Sequence, residues 1–471
     1  MAETPRLVSL SDLPSHLILK VLISGSLSAI DLVNIELTSK IFEYGSHSWD
    51  FKSLADHAAS LLCSLHPVFM GLGLIHQKQL IERCNGNWKR VLRFLLSIVE
   101  SSDMVETPKG KMQITTGPKV TMVINNSKVY SCGRSEYGGL AQGEDTNKCA
   151  RLTPIVFPFS AKVIQVSVND FNSAFVMQSG EVFTCGWDEF NMDEIYSPRL
   201  VDALKSIPCK QVAVGYYSIA CLSREGHVYT FGGRNKHGEL GHGDTMKRQV
   251  PTVVELLKNV GPVVQISAGP FYILAVTEDG SVYSFGDGSK LCLGHGDLQN
   301  KLEPHVIQAF KTNGVHILRV SAGYAHAAAI DSNGYVYTWG KGGSALGHGD
   351  KNDKPFPEIL FHLKNHLAVQ VCVTYMKTFV VVEGGSVYGI GGFIHGSLGF
   401  YGEGNHGLVV KPRVLESLKP HRVLQVTTGK FHTMVVTQQG RLLGFGDNSD
   451  SQLGHHSLDW LEPTETFFSP E

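Results

Sequence analysis

Beyond about residue 110 the apolar positions fall in short runs with polar residues between them, the period of two that predicts strands, and one set of runs recurs seven times. Each repeat carries Val-Tyr-x-aromatic-Gly or a variant of it, at 129–133, 182–186, 228–232, 282–286, 336–340, 387–391 and 442–446. Successive copies start 46 to 55 residues apart, which is too regular for chance and too long for a helical hairpin. The fifth copy shows the full pattern. Residues 317–323 alternate apolar and polar, 327–330 are apolar, Ser332-Asn333-Gly334 is a turn, the motif strand follows, and a turn ending Leu346-Gly347-His348-Gly349-Asp350 leads to an extended segment through Pro357. Four short strands joined by tight turns predict one antiparallel blade per repeat. The pairs Glu225-Gly226, Asp279-Gly280 and Asn333-Gly334, with Ser179-Gly180 and Gln439-Gly440 as weaker versions, supply the positive φ that such hairpins need.

A four-stranded sheet cannot bury both faces alone, so blades must stack, and seven of them closed into a ring leave no end edge. The slot before the closing glycine agrees: Cys132, Cys185, Phe231, Phe285, Trp339, Ile390 and Phe445 are all apolar, as residues between blades should be. The two cysteines there are packing residues.

Upstream the period lengthens to about 3.6. Leu13, Leu17, Val21 and Leu22 predict the apolar face of a first helix, entered by Ser11 or Asp12 with Pro14 in its first turn. Ser28 caps a second through Leu32-Val33, and a third begins near Thr38 and includes Ile41-Phe42. Residues 47–65, with Leu54, Ala58, Leu61 and Leu62 on one face, and 87–99, with Val91, Leu92, Leu95, Leu96 and Val99, are expected to be helical as well. Three helices within forty residues bury little and need a partner surface.

Charge narrows the functions. Lys and Arg number 41 against 43 Asp and Glu, for a net charge of -2, with no basic block, so direct nucleic-acid binding is not expected. The start lacks the order of a secretory signal and no run reaches a membrane span. Nine scattered cysteines without a CxxC pair fit neither a disulfide framework nor a zinc knuckle. The expectation is a soluble protein, cytoplasmic and/or nuclear. No nucleophile elbow, zinc-protease helix or P-loop is present, so a non-catalytic protein without cofactor or metal is expected. The repeated Gly-His-Gly-Asp is read as turn residues, since blade-related positions lie too far apart to share an ion.

The repeats resemble those of the regulator of chromosome condensation family, on Val-Tyr-x-Trp-Gly and on Leu240-Gly241-His242-Gly243, Leu293-Gly294-His295-Gly296, Leu346-Gly347-His348-Gly349 and Leu453-Gly454-His455, with prolines following at 251, 304, 357 and 463. The family's second-strand histidine is kept as His326 and His432, while Val120, Asn172, Ser218, Tyr272 and Lys377 fill the related positions. The second repeat passes through Trp187-Asp188-Glu189-Phe190 with no Leu-Gly turn. The resemblance implies a protein-binding propeller, with guanine-nucleotide exchange on a small GTPase, or docking on chromatin, as an alternative. Light sensing by clustered tryptophans, known in a plant photoreceptor of the family, is not expected from Trp187, Trp339 and Trp460 alone.

Leu13-Pro14, Leu17, Val21-Leu22, Leu27, Asp31-Leu32 and Leu37-Thr38-Ser39-Lys40-x-Phe42 resemble an F-box. That resemblance implies docking on the Skp-type adaptor of a cullin–RING ubiquitin ligase, with an unknown target protein on a propeller face. A scaffold whose helices only cap the ring is the bland alternative. The expected organisation is an F-box-like module at 1–46, a helical brace at 47–104, a linker at 105–110 and a seven-bladed β-propeller of four-stranded antiparallel blades at 111–471.

Overall fold

The computed structural model describes residues 15–24, 29–38, 53–101, 104–143, 146–159, 162–169, 171–343, 345–392, 394–400, 408–455 and 462–468. The chain divides into two compact units, Met1–Val99 and Glu100–Glu471.

The first unit is helical: α1 Ser15–Ser24, α2 Ala29–Thr38, α3 Leu54–Leu65, α4 Pro67–Gly71, α5 Leu74–Arg83 and α6 Trp88–Glu100, whose last residue begins the second unit. Ile18 and Leu22, one turn apart on α1, are buried with Leu32 of α2, and both helices pack on α3. Ser53 caps α3, its Oγ accepting the Asp56 N–H at 3.1 Å. Asp56 is itself buried and accepts the Trp88 N–H at 2.9 Å, which ties the start of α3 to that of α6. On α6 the buried positions include Val91, Leu92, Leu95 and Ile98, and Val99, expected on the same face, is exposed because its neighbour Ile98 points inward. The third helix expected near Thr38, and the start of the expected helix at 47–65, lie outside the described residues. No described helix is long and apolar enough to cross a membrane.

The second unit is a seven-bladed β-propeller. Blade 1 contains strands Gly110–Thr116, Val120–Asn125, Lys128–Arg134 and Lys148–Pro154; blade 2, Val163–Val168, Asn172–Met177, Val182–Asp188 and Asp193–Leu200. Blade 3 runs from Cys209 to Val253, blade 4 from Val263 to Val306, blade 5 from Ile317 to Ile359, blade 6 from Ala368 to Val414 and blade 7 from Val423 to Glu465. Neighbouring strands are antiparallel and follow one another in sequence in every blade. Residues 105–110, expected as a linker, instead add a strand, Val105–Thr107, to blade 1. The reason is the Pro108-Lys109-Gly110 turn: Gly110 has φ +114°, which allows a tight hairpin back onto the strand that follows.

Apolar clusters join the blades in pairs. Leu274, Val276 and Val282 of blade 4, for instance, meet Ile317, Ala327 and Trp339 of blade 5, and the Trp339 indole donates to the Cys292 carbonyl at 2.7 Å. Each such large side chain contributes on the order of 1.5–3 kcal/mol when buried.

A second lock is polar. The first strand of six blades carries a glutamine at the same position, and blade 5 carries Arg319 there. The Gln165 amide accepts from the Val212 N–H at 2.9 Å and donates to its carbonyl at 3.1 Å; Gln265 bonds Val320, and Gln370 bonds Val426, in the same two-way fashion. Gln425 of blade 7 accepts from the Ile114 N–H of blade 1 at 2.9 Å, which closes the ring. Thr121 completes the closure by giving its only hydroxyl proton to the Gln452 carbonyl at 2.6 Å, so His432, 2.9 Å away, must donate to it through Nε2. Burial lowers His326 and His432 to about 3, which keeps both rings neutral. Lys377, at the same position of blade 6, is buried too, lowered to about 7 by that burial, and its Nζ donates to the His432 carbonyl at 3.4 Å.

Candidate protein-interaction face

Between the first and second strands of each blade lies a two-residue turn at the mouth of the central channel. The Gly117, Gly215, Gly269, Gly323 and Gly429 N–H groups each bond the carbonyl at the start of the second strand, at 2.8–3.0 Å. A side chain at Gly429 would place its Cβ 2.4 Å from the Gly117 carbonyl oxygen, so this turn can touch its counterpart in blade 1 only as glycine.

The turn residues project around the mouth, and six of the seven turns carry at least one aromatic residue. Phe171 of blade 2 stacks on Tyr217 of blade 3, with centroids 5.2 Å apart and planes at 24°. Tyr216 meets Phe271 of blade 4 edge-on at 5.3 Å, and Tyr324 of blade 5 stacks on Tyr375 of blade 6 at 5.1 Å and 7°. The Tyr216 and Tyr375 hydroxyls bond at 2.5 Å. Lys430 of blade 7 lies 5.3 Å over the Tyr375 ring and Arg234 3.9 Å over Tyr217. Below the tyrosines lies a cavity of about 190 Å³. Rigid aromatic rings, fringed by cations and carrying hydroxyls, suit a protein partner: they offer large contact area at little side-chain entropy.

The Gly-His-Gly histidines do not reach this mouth. His242, His295 and His348 bond the motif hydroxyls Thr230, Ser284 and Thr338 of their own blades at 2.8–2.9 Å. Among the described residues no cluster of three His, Cys, Asp or Glu side chains could hold a metal ion. Cys132 and Cys185 are buried in the slot between blades, where burial pushes both thiols up, Cys185 to about 12.

The residues expected to dock the adaptor divide. Leu17 and Val21 are exposed on α1, at 37% and 43%, whereas Leu22 and Leu32 are buried and Asp31 is half-buried. Val21 and Leu22 are adjacent, about 100° apart on a helix, so one side of α1 cannot present both. Leu13, Pro14 and Leu27 lie outside the described residues. Sequence reasoning passed over the aromatic face, although its signal is a column: the two residues after each Gly, in Tyr216-Tyr217, Pro270-Phe271, Tyr324-Ala325 and Lys430-Phe431.

A closed ring that shows an aromatic, loop-built face is a propeller of the protein-interaction class. Residues 191–470 match the sequence profile of the RCC1-like domain, and the chain belongs to that family. It is 30% identical over 367 residues to the ultraviolet-B receptor UVR8 of Arabidopsis thaliana, a match covering 75% of this chain and 81% of the receptor. With the E3 ubiquitin-protein ligase HERC2 of Mus musculus it shares 29% identity over 338 residues, 69% of this chain but only 7% of that protein. The solved structure of Prp20p from Saccharomyces cerevisiae, described with its binding properties to Gsp1p and histones, has the same fold, with a TM-score of 0.62 at 18% identity over 76% of this chain and 87% of that one. Among the described residues no tryptophans cluster on the face: Trp187 meets Tyr137 and Trp339 is buried between blades, while Trp460 lies outside the described residues.

Proposed function

We propose that this chain is a non-catalytic, target-recruiting subunit of a cullin–RING ubiquitin ligase. Its N-terminal helices hold a Skp-type adaptor, and the aromatic face of its propeller holds the target protein. The observation that carries the adaptor half is the exposure of Leu17 and Val21 on α1, and of Val33 on α2, beside a fully buried Ile18, Leu22 and Leu32. Helices serving only as a cap would turn such residues inward, since each aliphatic side chain left partly exposed forgoes a share of the roughly 1.5–3 kcal/mol that full burial supplies. A row of them on a short amphipathic helix is a docking stripe.

The test is co-expression of the full chain with a Skp-type adaptor. Recovery of the complex is expected for the parent and is expected to fall at least ten-fold for the double variant Leu17→Lys, Val21→Lys, with an unchanged melting temperature for the propeller. Equal recovery of the two, or none with the parent, would overturn the reading.

A further inference from the structure

In six blades the chain fills the gap to the next blade with its own leucine. Leu140, Leu240, Leu293, Leu346, Leu398 and Leu453 sit on the turn after the motif strand and are buried to 3% or less. Four of these turns are held by the motif's own hydroxyl: Ser131, Thr230, Ser284 and Thr338 each donate to the leucine carbonyl, at 2.6–2.8 Å. The residue after the leucine then lies against the slot residue of the next blade, as Gly241 does against Phe285 and Gly454 against Cys132.

Blade 2 lacks this turn. Its third and fourth strands run on to Asp188 and Asp193, which pair directly and close a short hairpin. The slot residue that the turn would cover, Phe231 of blade 3, is therefore half-buried, while its six counterparts are exposed by 2% or less. A cavity of about 140 Å³ opens there, with Phe231, Trp187, Phe190 and Tyr217 among its walls. Thr184, which holds the motif position of the four donating hydroxyls, lines this cavity, and its side chain makes no hydrogen bond to another described residue. Glu189 also lines it: Oε1 faces Arg234 at 3.5 Å, and Oε2 is buried without a hydrogen-bond partner among the described residues. Tyr217 joins the cavity to the aromatic face through its stack on Phe171.

We infer that this cavity receives a leucine-sized side chain from a partner protein, carried on a turn whose next residue is small. The guest takes the place that the chain's own Leu-Gly turn takes in the other blades. Its carbonyl accepts from Thr184 and a backbone N–H donates to Glu189 Oε2, so these two polar groups of the lining are satisfied along with the apolar walls. The inference rests on the reading of this face as partner-binding, and it adds the feature by which a partner is chosen.

The probe is a labelled cyclic peptide carrying the chain's own residues 238–243, Gly-Glu-Leu-Gly-His-Gly, titrated against the full-length protein by fluorescence anisotropy. The leucine peptide is expected to bind at least ten-fold more tightly than versions with Ala or Lys at the leucine. Phe231→Ala in the protein should erase that preference, and Thr184→Val should weaken binding of the leucine peptide several-fold at unchanged melting temperature. Equal affinity for the three peptides, tighter binding of the Lys peptide, or a leucine preference that survives Phe231→Ala overturns the inference. Adaptor co-purification is read separately: its loss with the leucine preference intact sinks the ligase reading alone, and the reverse sinks only the cavity.

Discussion

Gly133→Ala is expected to unfold the propeller or lower its melting temperature by about 10 °C or more, from a loss above ~4 kcal/mol. The glycine has φ +107°, and a Cβ added there would lie 2.1 Å from the Lys119 carbonyl oxygen, inside any allowed contact. Both partners are backbone, so no side chain can yield. The same approach recurs in every blade, for example at Gly186, 2.0 Å from the Phe171 carbonyl, and Gly391, 2.0 Å from that of Met376. Gly143→Ala is the control. It too has positive φ, +87°, but nothing lies within 4 Å, so only the backbone cost of roughly 1–2 kcal/mol should appear. Thermal unfolding of the pair separates the two costs; a Gly133→Ala protein that melts within 2 °C of the parent would refute the close-approach argument.

Removing residues 462–471 is expected to abolish a single cooperative unfolding transition and to leave aggregated protein. Those residues supply the fourth strand of blade 7, where Glu465 pairs with Leu443 and Thr464 with Gly444. The Thr466 hydroxyl donates to the Leu453 carbonyl at 2.8 Å, and Phe468 bridges to blade 1, its ring 4.6 Å from that of Tyr130 and its backbone paired with Leu152. Without them the Leu442–Gly446 strand becomes a bare sheet edge beside the closing seam, an invitation to pair with another chain. Size-exclusion chromatography with calorimetry reads both effects. A monodisperse truncated protein with the parent's melting temperature would contradict the role given to this strand.

The repeat was legible because blade physics is written locally. Hairpin glycines, the apolar slot and the alternation of each strand all lie within one copy, and Val120, Asn172, Tyr272, His326, Lys377 and His432, aligned on the family's second-strand histidine, each pair with a motif glycine. What the copies do to one another was less visible. The glutamine column reads as the polar half of an alternating strand, and nothing in one blade says that its amide bonds the next. Closure joins residues 311 positions apart, Ile114 to Gln425 and Thr121 to His432, which no local pattern encodes. The missing Leu-Gly turn of the second repeat was visible as a shortened loop, but its consequence, a half-bare Phe231, belongs to the neighbouring blade. On α1, Leu17 and Leu22 were grouped by hydrophobicity, and only packing on α3 separates the exposed stripe from the buried one.

The claim beneath all of this is that seven blades act as one closed ring, held across the seam by Gln425, Thr121 and His432. Amide hydrogen exchange on the full chain tests it directly. The first-strand amides of blades 1 and 7, Ile114 and Val426 among them, should exchange with the same slow rate and the same denaturant dependence as Val212 and Val320 in the middle of the ring. Markedly faster exchange confined to blades 1 and 7 would mean that the seam opens on its own, and that the ring is not closed.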